Sequence, residues 1–129
     1  MGDRANVVIK GKDNEGGDLV LYTHWGGSRV ESIVQDGLRA AERAGRLQGD
    51  QSYAQRSIVQ VFLTENGDPT SLGAGIYVGK PYEPHVVVID YDASTVTFDP
   101  AGNEYGPEGG TVTESFEDFL SRSFVGADA

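Results

Sequence analysis

The sequence predicts an α+β domain: a mainly antiparallel five-stranded sheet with about three helices packed against it, in the order ββααβββα. Three observations predict it. Short apolar, β-branched runs bounded by Gly, Pro, Asn and Asp recur in both halves of the chain. Apolar residues spaced three and four apart mark helices in the middle and near the end. The 129 residues, 38% of them hydrophobic, suit a single domain over 1–129 with one core.

The run Ala5 to Ile9 ends at Gly11, and the polar stretch Lys12 to Gly17 leads to a second run, Leu19 to Tyr22, which predicts an N-terminal hairpin. Ser28 and Glu31 read as a capping box opening a helix, in which each side chain satisfies an orphan backbone N–H. Val30, Ile33, Val34, Leu38 and Ala41 form its apolar stripe, and Gly45 ends it. Gly37 weakens that helix by about 1 kcal/mol relative to Ala, so either the stripe offsets it or a close helix approach requires it. Asp50 is placed to cap a second helix over about Gln51 to Leu63, with Tyr53, Ala54, Ile58, Val61 and Phe62 spaced for burial. The β-branched cluster Ile58, Val59 and Val61 makes a strand the competing reading there.

Asn66 to Pro69 then form a turn, and Ile76 to Val78 a short strand ended by Pro81 and Pro84. His85 to Asp92 is the strongest strand signal. Val86 to Ile89 is continuous enough to predict a central strand covered on both faces. Thr95 to Phe98 returns as its hairpin partner, and residues 99–112, rich in Gly and Pro, read as a long loop. A last helix begins at Thr113 or Ser115, with Ser115 and Asp118 in a capping pattern and Phe116, Phe119, Leu120 and Phe124 as its stripe.

The absence of Cys removes disulfides, thiolate nucleophiles and Cys-based zinc sites, leaving His24 and His85 as the imidazoles. The opening residues lack the apolar core of a signal peptide, and no apolar stretch approaches the roughly 20 residues of a membrane span, so a soluble, cytoplasmic protein without membrane contact is expected. The formal charge of −10 is unevenly placed. Residues 1–64 carry eight acids and eight Lys or Arg, whereas 65–129 carry twelve acids against Lys80 and Arg122. Such a field repels phosphate backbones, so no direct nucleic-acid binding is expected. It attracts basic proteins, including those that themselves bind nucleic acid; the competing reading is solubility alone, or a high-salt cytoplasm.

The segments GDRAN (Gly2 to Asn6) and LYTHWGG (Leu21 to Gly27), with Tyr53 to Arg56 and Gly73 to Ile76, resemble a group of small uncharacterised bacterial and phage proteins. That resemblance implies a small α+β protein carried on mobile elements and transfers no catalytic residue. Tyr22, His24, Gly26, Gly37, Leu38, Gly75 and Tyr77 weakly resemble a pattern of ADP-ribosyltransferases. That resemblance implies a catalytic set of His24 and Tyr77 holding a nicotinamide riboside, with Glu114 orienting the nucleophile. Thr23 and Trp25 depart from the pattern.

Two candidate sites follow. His24, Trp25, Gly26, Gly27 and Ser28 lie where a strand gives way to a helix N-terminus, a place suited to a carboxylate or other anion. The structural reading of the same corner makes Trp25 a core-edge anchor and the glycines a turn. Asp90, Asp92, Tyr105, Glu108, Glu114, Glu117 and Asp118 form an anionic, partner-binding candidate, with Tyr91 and Tyr105 as aromatic anchors if exposed. Asp90, Asp92 and Asp99 lack the spacing of a known metal loop, so no metal or other cofactor is expected. His85, without a partner at recognisable spacing, reads as a surface or turn residue. These observations together point to a non-enzymatic acidic protein that engages and inhibits a basic partner. A small enzyme or ligand-binding domain using the His24 to Ser28 corner is the alternative.

Overall fold

The computed structural model describes residues 3–66, 73–100 and 111–124. The chain runs β1 (Ala5–Lys10), β2 (Leu19–Thr23), α1 (Val30–Arg43), α2 (Gln51–Glu65), β3 (Ala74–Val78), β4 (Val86–Asp90), β5 (Thr95–Phe98), β6 (Val112–Ser115) and α3 (Phe116–Leu120). It is an α+β domain, and the described residues form three α-helices and six strands rather than five, ordered β3-β2-β1-β4-β5-β6. Four pairings are antiparallel, but β1 and β4 run parallel, Asn6 facing Val86 and Ile9 facing Ile89. The sixth strand comes from residues assigned above to the end of a loop and the start of a helix. Val112 to Ser115 is a weak strand by composition, and only pairing with β5 makes it one.

Strand alternation sends Ala5, Val7, Ile9, Leu21, Val87, Ile89, Val96 and Phe98 into one core with the helices. Val30, Ile33, Val34, Leu38 and Ala41 enter it from α1, Ala54, Ile58 and Phe62 from α2, and Phe116 and Phe119 from α3. The segment 51–65 is helical: three residues of its β-branched cluster matter less than a continuous stripe buried against α1. Tyr53 is not in that stripe; it is exposed, with the guanidinium groups of Arg46 and Arg56 near its ring. Gly37 is where α1 and α2 touch, since a Cβ there would lie 2.8 Å from the Ile58 backbone.

Among the described residues no helix lies on the opposite sheet face, and β4 is buried on one face and only half-buried at Val86 and Val88 on the other. Val8 and Val20 are nevertheless buried on that side, outside the main core. Because β3 and β4 run the same way, the chain between them must cross three strand spacings, about 14 Å, and go back along the sheet. This strap, residues 79–85, is pinned midway: the Tyr82 and Glu83 N–H groups both donate to Asn6 Oδ1, at 3.0 and 2.9 Å.

Candidate functional site

The two ends of the sheet differ in chemistry. At the end where β1 and β4 begin and β2 finishes lie Asp3, Asn6, Thr23, His24, Trp25, Glu31, His85 and Asp99. The capping box does not form there. Asp3, from outside the helix, accepts the Ser28 N–H on Oδ2 and the Gly27 N–H on its carbonyl, both at 2.7 Å. The carboxylate suited to this helix start is therefore the protein's own, and Gly27 is packed so closely that a Cβ would lie 2.7 Å from Asp3. Glu31, released from the box, reaches His85: Oε2 lies 2.7 Å from Nε2, with both side chains almost fully buried at 4% and 1% exposure.

His85 is thus a core residue and not a surface one. Burial opposes its charged form, but the hydrogen bond and charge of Glu31, reinforced by Asp3 and Asp99, outweigh that cost and hold its pKa above the ordinary histidine value. Its Nδ1 is buried without a hydrogen-bond partner, as is Asp3 Oδ1. Sequence spacing carried no sign of this pair, because residues 31 and 85 meet only through the parallel β1–β4 register. The one local signal was a polar Asn6 inside an apolar run, which marks where the strap is tied.

Above this polar bed the helix-free face carries a row of rings. Tyr77 stacks on Tyr82 and Tyr82 on Tyr22, with centroids 5.6 and 5.7 Å apart. The Tyr22 hydroxyl lies 2.7 Å from His24 Nδ1, and the Trp25 ring meets His24 edge-on at 4.1 Å. Trp25 is 64% exposed and Tyr82 63%, so Trp25 does not anchor the core edge. Gly26 completes the corner by donating its N–H to Thr23 Oγ1, whose hydroxyl also bonds Asn66.

The structure does not bring His24, Tyr77 and Glu114 together. Glu114 is on the far edge strand, four strand spacings or about 19 Å from β2, and alternation puts it on the helix side. Its carboxylate is held by Arg122 through two bonds of 2.7 and 2.8 Å, which keep its pKa below the usual carboxylate range.

The other end of the sheet is acidic. The β1–β2 and β4–β5 turns line two shallow hollows that share Asp92, one with Glu15, Asp18, Asp90 and Lys10, the other with Asp13, Asp50 and Lys12. Asp90 and Asp92 also shape the turns. Asp90 Oδ1 accepts the N–H groups of Asp92 and Ala93, and Asp92 Oδ1 that of Lys12. The register Asp90–Thr95–Ser115 brings the first turn of α3, with Glu117 and Asp118 exposed, to the same end. Tyr91 is no anchor: its ring packs edge-on against Phe116 at 5.6 Å and its hydroxyl is buried, which raises its pKa above the ordinary tyrosine value. Tyr105 and Glu108 lie outside the described residues. Asp99 is carried to the His85 end, away from Asp90 and Asp92, and among the described residues no group of three acids or imidazoles is placed to hold a metal ion. Among the described residues, too, no helix is long and apolar enough to cross a membrane. No protein-family model, curated protein or solved structure matches this chain.

Proposed function

We propose that this chain is a non-enzymatic binding protein of the cytoplasm that engages a basic protein partner through its acidic end, competing with the nucleic acid that partner would otherwise bind. The observation that carries the reading is the gathering of carboxylates from separate turns around two hollows that meet at Asp92. Oriented by backbone N–H groups, Asp90 and Asp92 keep their remaining oxygens for a guanidinium or ammonium group. The surface differs from the one expected from sequence: Glu114 is committed to Arg122, and Asp13, Glu15 and Asp18 join Asp90, Asp92, Glu117 and Asp118.

The test is titration with an Arg-rich peptide at two ionic strengths. Binding should weaken with salt, as interactions between exposed charges do, and should be lost when Glu15, Asp18, Glu117 and Asp118 are changed to Lys. Asp90 stays unchanged because it holds its turn. Affinity indifferent to both salt and the reversals overturns the reading.

One observation favours a second reading, a small ligand at the His24 corner: the exposure of Trp25 and Tyr82 in a continuous aromatic row. Trp25 is the only Trp, so its fluorescence reports on that site directly. A saturable change with NAD that disappears in Tyr82→Ala supports this reading, and an unchanged spectrum removes it.

A further inference from the structure

Among the described residues nothing pairs with the outer side of β3, an edge strand of the sheet. Its residues, Ala74 to Val78, include no charge and no proline, the devices that ordinarily keep an edge strand from pairing. The bonds His24 N–H to Gly73 O and Gly79 N–H to Asp18 O mark the odd-numbered residues as those turned toward β2. Ala74, Ile76 and Val78 therefore point their N–H and C=O groups outward, away from the sheet. Apolar surface flanks this row on both faces, with Ile76 47% and Val78 66% exposed on the helix side and Tyr82, stacked on Tyr77, on the other.

We infer that β3 pairs antiparallel with β3 of a second copy about a two-fold axis through Ile76, joining two six-stranded sheets into one of twelve. The strand is self-complementary in that register. Ile76 exchanges both bonds with its counterpart, and Ala74 and Val78 exchange theirs with Val78 and Ala74 of the second copy, so every outward group of the three residues is satisfied. Side chains also fit, small against large: Ala74 faces Val78, and Gly75 faces Tyr77, whose ring can cover the bare glycine backbone. A second copy suits the strand better than a charged peptide because the contact is uncharged throughout. The −10 charge of each copy opposes association from outside the contact, so this dimer strengthens with salt, opposite to the partner complex proposed above.

The experiment is light scattering after size exclusion across a concentration series at low and high salt. The mass should rise from 13.8 kDa toward twice that value, and further at high salt. Ile76→Pro removes only an outward N–H, so it should leave the monomer fold intact by circular dichroism and abolish the dimer. Ile76→Lys sets two cations face to face and should do the same. Register is read by cross-linking, which is clean because the chain has no Cys. Ile76→Cys pairs at a Cα separation of about 5.5 Å and should form a disulfide-linked dimer. Val78→Cys, about 14 Å from its counterpart in this register, should not. A mass of 13.8 kDa under all conditions, or a dimer indifferent to Ile76→Pro and Ile76→Lys, overturns the inference. A strand of another protein on the same edge would appear as such a monomer.

Discussion

Glu31→Gln is the sharpest perturbation of this fold, because it neutralises one member of the buried Glu31–His85 pair while preserving its size. The pair ties the first turn of α1 to the start of β4, with 2.7 Å between Oε2 and Nε2 and almost no exposure. Removing one partner of a buried pair leaves the other charge uncompensated, at a cost of about 3–5 kcal/mol. For a chain of this length that cost lowers the melting temperature by about 10–20 °C. The sign with pH follows from the raised His85 pKa. The native state holds the proton more tightly than the unfolded chain, so this stabilisation is full below the unfolded histidine pKa of about 6.5 and fades as pH rises through the higher native value. The wild-type advantage over Glu31→Gln should accordingly be largest near pH 6 and shrink toward pH 9, measured as thermal melting across that range. Replacing both residues by apolar ones, Glu31→Met with His85→Phe, should cost less than the two single changes summed. A Glu31→Gln protein that melts with the wild type at pH 6, or an advantage that grows with pH, refutes the reasoning.

Three further outcomes are expected. Gly37→Ala, which would gain about 1 kcal/mol in an isolated helix, should instead lower stability in chemical denaturation, because the new Cβ meets the Ile58 backbone at 2.8 Å. Ser115→Ala removes the hydroxyl that accepts the Asp118 N–H at 3.1 Å and should cost about 1 kcal/mol, with α3 amides exchanging faster in hydrogen-exchange measurements. Glu114→Gln should cost less than about 1 kcal/mol, since the Arg122 pair is partly solvated. Because Arg122 lowers the Glu114 pKa, that small contribution is present above the ordinary carboxylate pKa and is lost as pH falls through the native value; NMR titration of the carboxyl follows it directly.

Whatever depends on near neighbours was legible before any fold was known. Periodicity placed α1, the hairpin of β1 and β2, and the β4–β5 pair; the Ser115 cap was legible because donor and acceptor are three residues apart. The acidic bias of the second half was also plain, as a matter of composition. Tertiary structure alone decided what depends on distant partners. Ser28 and Glu31 satisfy the capping pattern, yet Asp3 reaches the helix start first and His85 recruits the glutamate. Neither competitor has any fixed spacing from residue 28 or 31. Val112 to Ser115 became a strand only because β5 offered it an edge, and β1 and β4 became parallel because the strap folds back past Asn6. Which acids form a surface was likewise a matter of register. By sequence Glu114 belonged to the anionic surface and Asp18 to the charge-balanced half, whereas the sheet pairs the first with Arg122 and turns the second toward the hollow beside Asp90. Local patterns fix the conformations a segment prefers, but burial and pairing are long-range, and they select among those conformations by satisfying the polar groups that folding takes from water.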